Sequence, residues 1–121
     1  MSHILGLGGI FLRCQHLEET RRFYQEILEI PLEPWGAQFF FRDDDVQEGY
    51  SNLSFFKKDS EYLAPSTQPF MINFRVRDLD GLLEKLRQKQ IPLVGEPVSG
   101  EYGQFAWVLD PEGNKIELWQ P

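Results

Sequence analysis

The sequence predicts an α+β fold made of two tandem β-α-β-β-β halves, eight strands and two helices. Three observations carry that prediction. The chain of 121 residues repeats itself at an offset near half its length. Apolar residues alternate with period two in segments that frame two stretches of helical spacing. A turn of hairpin chemistry closes the C-terminal half.

The repeat sets the frame. Phe11-Leu12-Arg13-Cys14-Gln15-His16-Leu17-Glu18 matches Asn73-Phe74-Arg75-Val76-Arg77-Asp78-Leu79-Asp80 at an offset of 62. Ile30-Pro31-Leu32 answers Ile91-Pro92-Leu93 at 61, and Gln38-Phe39-Phe40-Phe41 answers Gln104-Phe105-Ala106-Trp107 at 66. Two copies do not make a solenoid, whose stacked units need at least three.

Each element has a local reason. Leu5–Gln15 alternates Ile10, Leu12 and Cys14 against Gly9, Phe11 and Arg13, so one face is apolar and fit to lie under a helix. Leu17–Leu28 is the first helix, turning Leu17, Phe23, Ile27 and Leu28 inward, and Pro31 follows it. A strand follows at Gln38–Phe41, then a long acidic connection at Arg42–Gly49, then the strand Tyr50–Phe56. Residues Glu61–Gln68, with Ala64-Pro65-Ser66-Thr67, read as a linker between a first module at about 4–60 and a second at about 69–121. Phe70–Arg77 alternates Ile72, Phe74 and Val76 against Met71, Asn73 and Arg75. Leu79–Lys89 is the second helix: Asp78 is a good N-cap, Leu82, Leu83, Leu86 and Ile91 follow the apolar stripe, and its acids precede its bases. Phe105–Leu109 and Lys115–Trp119 flank Asp110-Pro111-Glu112-Gly113-Asn114, where Pro fixes φ and Gly-Asn tolerates positive φ.

Composition narrows the function. Twelve basic and 19 acidic residues give a net charge of −7. Nucleic acid as main partner needs a basic face, and so does an anionic membrane surface. The single cysteine, Cys14, excludes an intrachain disulfide framework and a cysteine-cluster zinc site. It falls on the apolar side of its strand, which predicts a buried, inert thiol. Only two histidines are present. His16 is expected near the start of the first helix and His3 at a mobile terminus. No apolar run approaches the ~20 residues that span a bilayer, and Met1–Gly6 lacks the basic start and long apolar stretch of a secretory signal. A cytoplasmic protein is the expectation. Aromatic residues make up 14% of the chain, enough to line a pocket as well as fill a core.

Phe23-Tyr24 with Leu28, then Asp78-Leu79-Asp80, then Asp110-Pro111-Glu112-Gly113-Asn114-Lys115-Ile116-Glu117-Leu118, resemble the vicinal oxygen chelate superfamily. It contains glyoxalases, bleomycin-resistance proteins, fosfomycin-resistance enzymes and extradiol dioxygenases. The likeness covers nearly the whole chain, and the last run is its most specific part. It implies that each half curls four strands into an open U, that the two form a cup with helices outside, and that the protein is a homodimer, in some members with halves exchanged between subunits.

The resemblance also implies where a metal would sit. Metal-using members place one ligand on the first strand of each half and a Glu in the last strand. Those places hold Gly9, Met71 and Glu117. Glycine has no donor, and a thioether suits an open Zn²⁺, Ni²⁺, Mn²⁺ or Fe²⁺ site poorly. The strand Tyr50–Phe56 offers Ser51, Asn52 and Ser54 but no His or Glu. One carboxylate does not make a three-ligand site, so no metal and no other cofactor is expected.

Alternation puts Lys115, Glu117 and Trp119 on one face, and the resemblance turns that face into the cup. Arg13 and Arg75 belong there too, either paired with Glu117 as a buried ion pair or, in part, free to grip an anion. Phe11, Phe105, Trp107 and Trp119 share the face with Met71 and Asn73, as core, dimer interface or pocket lining. The acids of Asp43-Asp44-Asp45-Val46-Gln47-Glu48 are consecutive, unlike a calcium loop, and read as a solvated segment.

Two classes of function follow. One is a non-catalytic protein that holds a small organic molecule in the cup. The other is an enzyme of the superfamily, a metal-dependent lyase, isomerase, dioxygenase or transferase, with Glu117 the best candidate for a catalytic group. A vestigial cup in a structural dimer is a third. The net charge favours a cationic ligand and the two arginines an anionic one.

Overall fold

The alternation in the first segment draws an eleven-residue strand, β1 (Ile4–Cys14), into the middle of a curved mixed sheet. The computed structural model describes residues 3–27, 31–40, 50–109 and 112–121. Leu28, Ile30 and Phe41, the acidic connection 42–49, and Asp110 and Pro111 of the last turn lie outside the described residues. After β1 come α1 (Leu17–Arg22), continued by a π-helical turn over Phe23–Ile27, then β2 (Gly36–Phe40) and β3 (Tyr50–Lys57). The C-terminal half follows as β4 (Phe70–Val76), α2 (Leu79–Gln88), β5 (Val98–Gly100), β6 (Gly103–Leu109) and β7 (Lys115–Gln120).

The strands stand in the order β2-β3-β1-β4-β7-β6-β5. β1 runs parallel to β3 and antiparallel to β4, and β4 runs parallel to β7. The first strands of the two halves therefore join them within one chain, with Gly9 opposite Asn73 and Phe11 opposite Met71. The sheet has seven strands among the described residues, not the eight expected. Ahead of β2 only an isolated bridge forms, Glu33 with Gly36. Pro31 and Pro34 leave that segment short of backbone donors, which limits a ladder there.

Helix α2 behaves as its sequence predicts. The Asp78 carboxylate caps it by accepting from the Gly81 N–H at 3.1 Å. Leu79, Leu82, Leu83 and Leu86 pack onto Phe74, Val76, Ala106, Val108 and Leu118. Full burial of a large apolar side chain such as Leu79 or Leu118 favours the fold by roughly 1.5–3 kcal/mol. Asp78 also lies 3.8 Å from the His3 imidazole, and the His3 carbonyl accepts from the Arg77 N–H, so His3 is tied down rather than mobile. His16 stands immediately before α1, as expected, and its carbonyl accepts from the Thr20 N–H.

The helix-facing side of β1 and β4 departs from expectation. Ile10 and Ile72 are register partners in the centre of the sheet, and they remain 48% and 36% exposed. The two helices are short and pack on strands to either side, α1 toward β3 and α2 toward β6 and β7, so the middle of that face is uncovered. Cys14, farther along the same face, is buried; burial pushes its thiol up, in keeping with an inert role.

A second core forms on the opposite face from Phe11, Leu63 and Met71, edged by Phe56 and Trp107. Leu63 comes from the segment between β3 and β4, which is thereby packed into the sheet's concave side rather than left as a simple connection.

Candidate functional site

Alternation along β4 and β7 sends Phe74, Val76 and Leu118 toward α2 and leaves Met71, Asn73, Glu117 and Trp119 on the concave face. Register does the rest. Asn73 lies beside Glu117 on the neighbouring strand β4, Trp107 beside it on β6, and Phe105 beside Trp119.

Glu117 is 1% exposed and held by three donors. The Tyr62 hydroxyl and the Trp107 indole N–H donate to its Oε2 at 2.5 and 2.8 Å, and the Asn73 amide Nδ2 donates to Oε1 at 2.6 Å. The Arg partner expected for this carboxylate is replaced by this neutral set. Lys115, two residues back on the same face, donates its ammonium to the Tyr62 carbonyl at 2.5 Å. Its Nζ lies over the Tyr62 and Trp107 rings, 5.3 and 5.5 Å from their centroids. Burial raises the Glu117 pKa above the ordinary carboxyl value, outweighing the three donors and Lys115. Burial and the adjacent Glu117 charge push the Tyr62 phenol far up, which keeps it a donor. Burial lowers Lys115, against the pull of Glu117.

Tyr62 is the residue that sequence reasoning missed. It belongs to the linker, where neither periodicity nor a motif marks it. The neighbouring Leu63, with no exposed surface, anchors it. Its ring stacks on Phe56 at 5.1 Å and 12° and meets Trp107 edge-on at 6.0 Å and 88°.

Above this network opens a cavity of about 390 Å³, within the range of roughly 300–1,000 Å³ usual for small-molecule sites. Phe11, Asn73, Glu117 and Trp119 supply its strand floor. Tyr50, Asn52, Ser54 and Phe56 line it from β3 with Gln38 from β2, and Phe105 from β6. Trp35, Tyr62 and Tyr102 complete it from connecting segments. The rings brace one another. Phe105 stacks with Trp119 at 6.2 Å and 11°, Tyr50 meets Trp119 edge-on at 5.0 Å, and the Trp119 N–H donates to the Tyr102 carbonyl at 2.7 Å.

Of the nine residues the sequence proposes for the cup, Phe11, Asn73, Phe105, Glu117 and Trp119 line this cavity. The other four do not. Met71 packs against Phe11 and Leu63 in the concave-side core, and Trp107 touches the site through its bond to Glu117. Arg75 is buried opposite Trp119 and Gly6, and Arg13 sits opposite Phe56 with its N–H bonded to the Pro69 carbonyl. On β3, Asn52 and Ser54, weighed in the sequence only as metal donors, line the cavity with Tyr50 and Phe56 at period two.

The positions implied for a metal do not fit one. A Cβ built on Gly9 would come within 2.3 Å of the Asn52 carbonyl oxygen, so the strands leave no room for a ligating side chain there. Met71 is wholly buried among apolar groups. Among the described residues no three His, Cys, Asp or Glu side chains cluster.

A family profile described as the glyoxalase-like domain matches residues 7–121. No curated protein matches the sequence. Solved structures share the fold at low identity. Methylmalonyl-CoA epimerase from Mycobacterium tuberculosis is 19% identical with a TM-score of 0.70, covering 100% of this chain and 91% of its own. A variant of the Streptomyces coelicolor epimerase in complex with 2-nitronate-propionyl-CoA is 20% identical with a TM-score of 0.70, covering 97% of each chain. A structure described as NAD-dependent benzaldehyde dehydrogenase from Legionella pneumophila is 16% identical with a TM-score of 0.60, covering 93% of this chain and 96% of its own. The chain belongs to the glyoxalase-like domain family, within the vicinal oxygen chelate superfamily.

Proposed function

We propose that this protein binds a small organic molecule in its aromatic cup without the help of a metal, and that the cup is a receptor rather than a reaction chamber. The carrying observation is Glu117. The carboxylate that metal-using relatives would offer to an ion is here committed to Tyr62, Trp107 and Asn73. A carboxylate so held is a positioning acceptor at the bottom of a pocket. The aromatic walls supply area for a ligand and the amides of Gln38, Asn52 and Asn73 supply orientation.

The epimerase neighbours bind acyl-CoA ligands; no Lys, Arg or His is among the described residues lining this cavity. The homodimer implied by the resemblance and the cytoplasmic setting expected from the sequence belong to the same proposal. No described helix is long and apolar enough to cross a membrane.

The test is metal analysis of the purified protein, with Zn²⁺, Ni²⁺, Mn²⁺ and Fe²⁺ added back, beside a thermal-shift screen of neutral, cationic and anionic aromatic compounds. The expected result is no stoichiometric metal and stabilisation by one ligand class. Tight one-to-one binding of a divalent metal would overturn the metal-free reading. A screen in which nothing stabilises would leave a cup that binds no ligand.

A further inference from the structure

The cavity's charge inventory is one-sided. Among the described residues that line it, Glu117 is the only acid and there is no base. The nearby cations lie off the lining, although the Lys115 charge acts on Glu117 from its side. Lys115 gives its ammonium to the Tyr62 carbonyl, and neither Arg13 nor Arg75 lines the space. A carboxylate has about four acceptor positions. Among the described residues Tyr62 and Trp107 take two on Oε2 and Asn73 takes one on Oε1, and none takes the second position on Oε1. Phe11, Tyr50, Phe105 and Trp119 line the same cavity, and aromatic rings attract cations through the negative potential of their faces. The net charge of −7 draws cations toward the molecule from a distance.

We infer that the ligand is a flat aromatic or heteroaromatic molecule bearing a cationic N–H group, an amidine or a protonated amine, that gives its hydrogen to Glu117 Oε1 while its ring lies among the aromatic side chains. This rests on the small-molecule reading above and names the chemistry of its ligand. A buried cation needs both a counter-charge and donors' partners to offset its lost hydration, and Glu117 with the surrounding rings provides them. An anion would meet the like charge of Glu117 and, among the described lining residues, neutral donors alone.

The experiment is calorimetric titration of the full chain, near neutral pH, with three probes of one shape: naphthamidine, naphthamide and naphthoate. The cation should bind tighter than the neutral amide by roughly tenfold, one good charge-assisted hydrogen bond, and the anion should bind weakest. Glu117→Gln should collapse the cation-to-amide ratio toward one, with folding checked by circular dichroism. Amide or anion binding as tight as the cation in the unaltered protein overturns the inference, whether or not Glu117→Gln folds, and leaves the small-molecule reading standing. A cation preference that survives in folded Glu117→Gln also overturns it. Failure of all three probes to bind overturns the small-molecule reading as well.

Discussion

Tyr62→Phe isolates one hydroxyl at the part-exposed edge of the Glu117 network. The ring keeps its stack on Phe56, its edge contact with Trp107 and its place under Lys115. What is lost is the 2.5 Å bond to Glu117 Oε2, where only Trp107 then remains. A hydrogen bond to a charged group contributes roughly 1.5–3 kcal/mol, one between neutral groups roughly 0.5–1.5. The destabilisation should therefore depend on the protonation of Glu117. Its folded pKa lies above the ordinary value of 4.5. Protonation thus favours the fold, and that stability is fully present below 4.5 and lost as pH rises through the raised folded value. Removing a donor raises the folded pKa further and carries the loss to higher pH. Urea unfolding followed by far-ultraviolet circular dichroism, from mildly acidic to mildly alkaline pH, should show the variant about 1 kcal/mol worse off at the alkaline end than at the acidic end. Tyr62 keeps its proton throughout, and a parallel Lys115→Met series separates the lysine's own titration from that of Glu117. A penalty that stays flat with pH, or falls under roughly 0.5 kcal/mol at the alkaline end, would refute the assignment of the hydroxyl as a holder of the carboxylate.

Three further changes probe the same architecture. Gly8→Ala places a Cβ 1.8 Å from Asn73 Oδ1 and 3.2 Å from the Trp119 ring. Because Asn73 is pinned by Glu117, this should cost about 1–3 kcal/mol in urea unfolding, and the penalty should shrink in an Asn73→Ala background. Leu63→Ala should cost about 2–5 kcal/mol and speed amide exchange around Tyr62, since Leu63 is the linker's fully buried anchor. Arg13→Ala should leave ligand affinity within about twofold by calorimetry, a difference worth roughly 0.4 kcal/mol, because Arg13 does not line the cavity. A large loss would return the arginine to the site.

The fold was legible where its signals are local. The alternation of Phe70–Arg77, the Asp78 cap and the leucines of α2 each act over a few residues and stand as read. The eighth strand failed because two prolines near Glu33 outweigh a repeat argument. The helix-facing side of Ile10 and Ile72 failed because periodicity says which residues share a face, not how far a short helix reaches across it. In the site, Glu117, Asn73 and Trp119 were legible from strand phase and from resemblance together. Arg13 and Arg75 share the phase yet lie off the cavity, because strand phase fixes side and not position along the strand. Tyr62 was out of reach: its role depends on a long-range fold-back set by Leu63.

The two departures bear on each other through the charge of Glu117. A buried carboxylate must be neutralised, paired or surrounded by donors. A metal-bearing cup does this with one ion, and then needs side chains on the first strands to hold that ion. In this chain Gly9 lies too close to the Asn52 carbonyl for a side chain, and Met71 is taken into the core with Phe11 and Leu63. The same core seats the linker, and the linker delivers Tyr62 to Glu117. On the proposed reading, then, the methionine does more than leave a ligand position without a ligand. By packing against Leu63 it helps hold the segment whose hydroxyl takes up the carboxylate. The bonds that satisfy Glu117 come from β4, β6 and the linker. Among the described residues they leave one acceptor position of Glu117 untaken beside an aromatic cavity, and on the inference drawn above an ion's place becomes a place for a ligand's N–H.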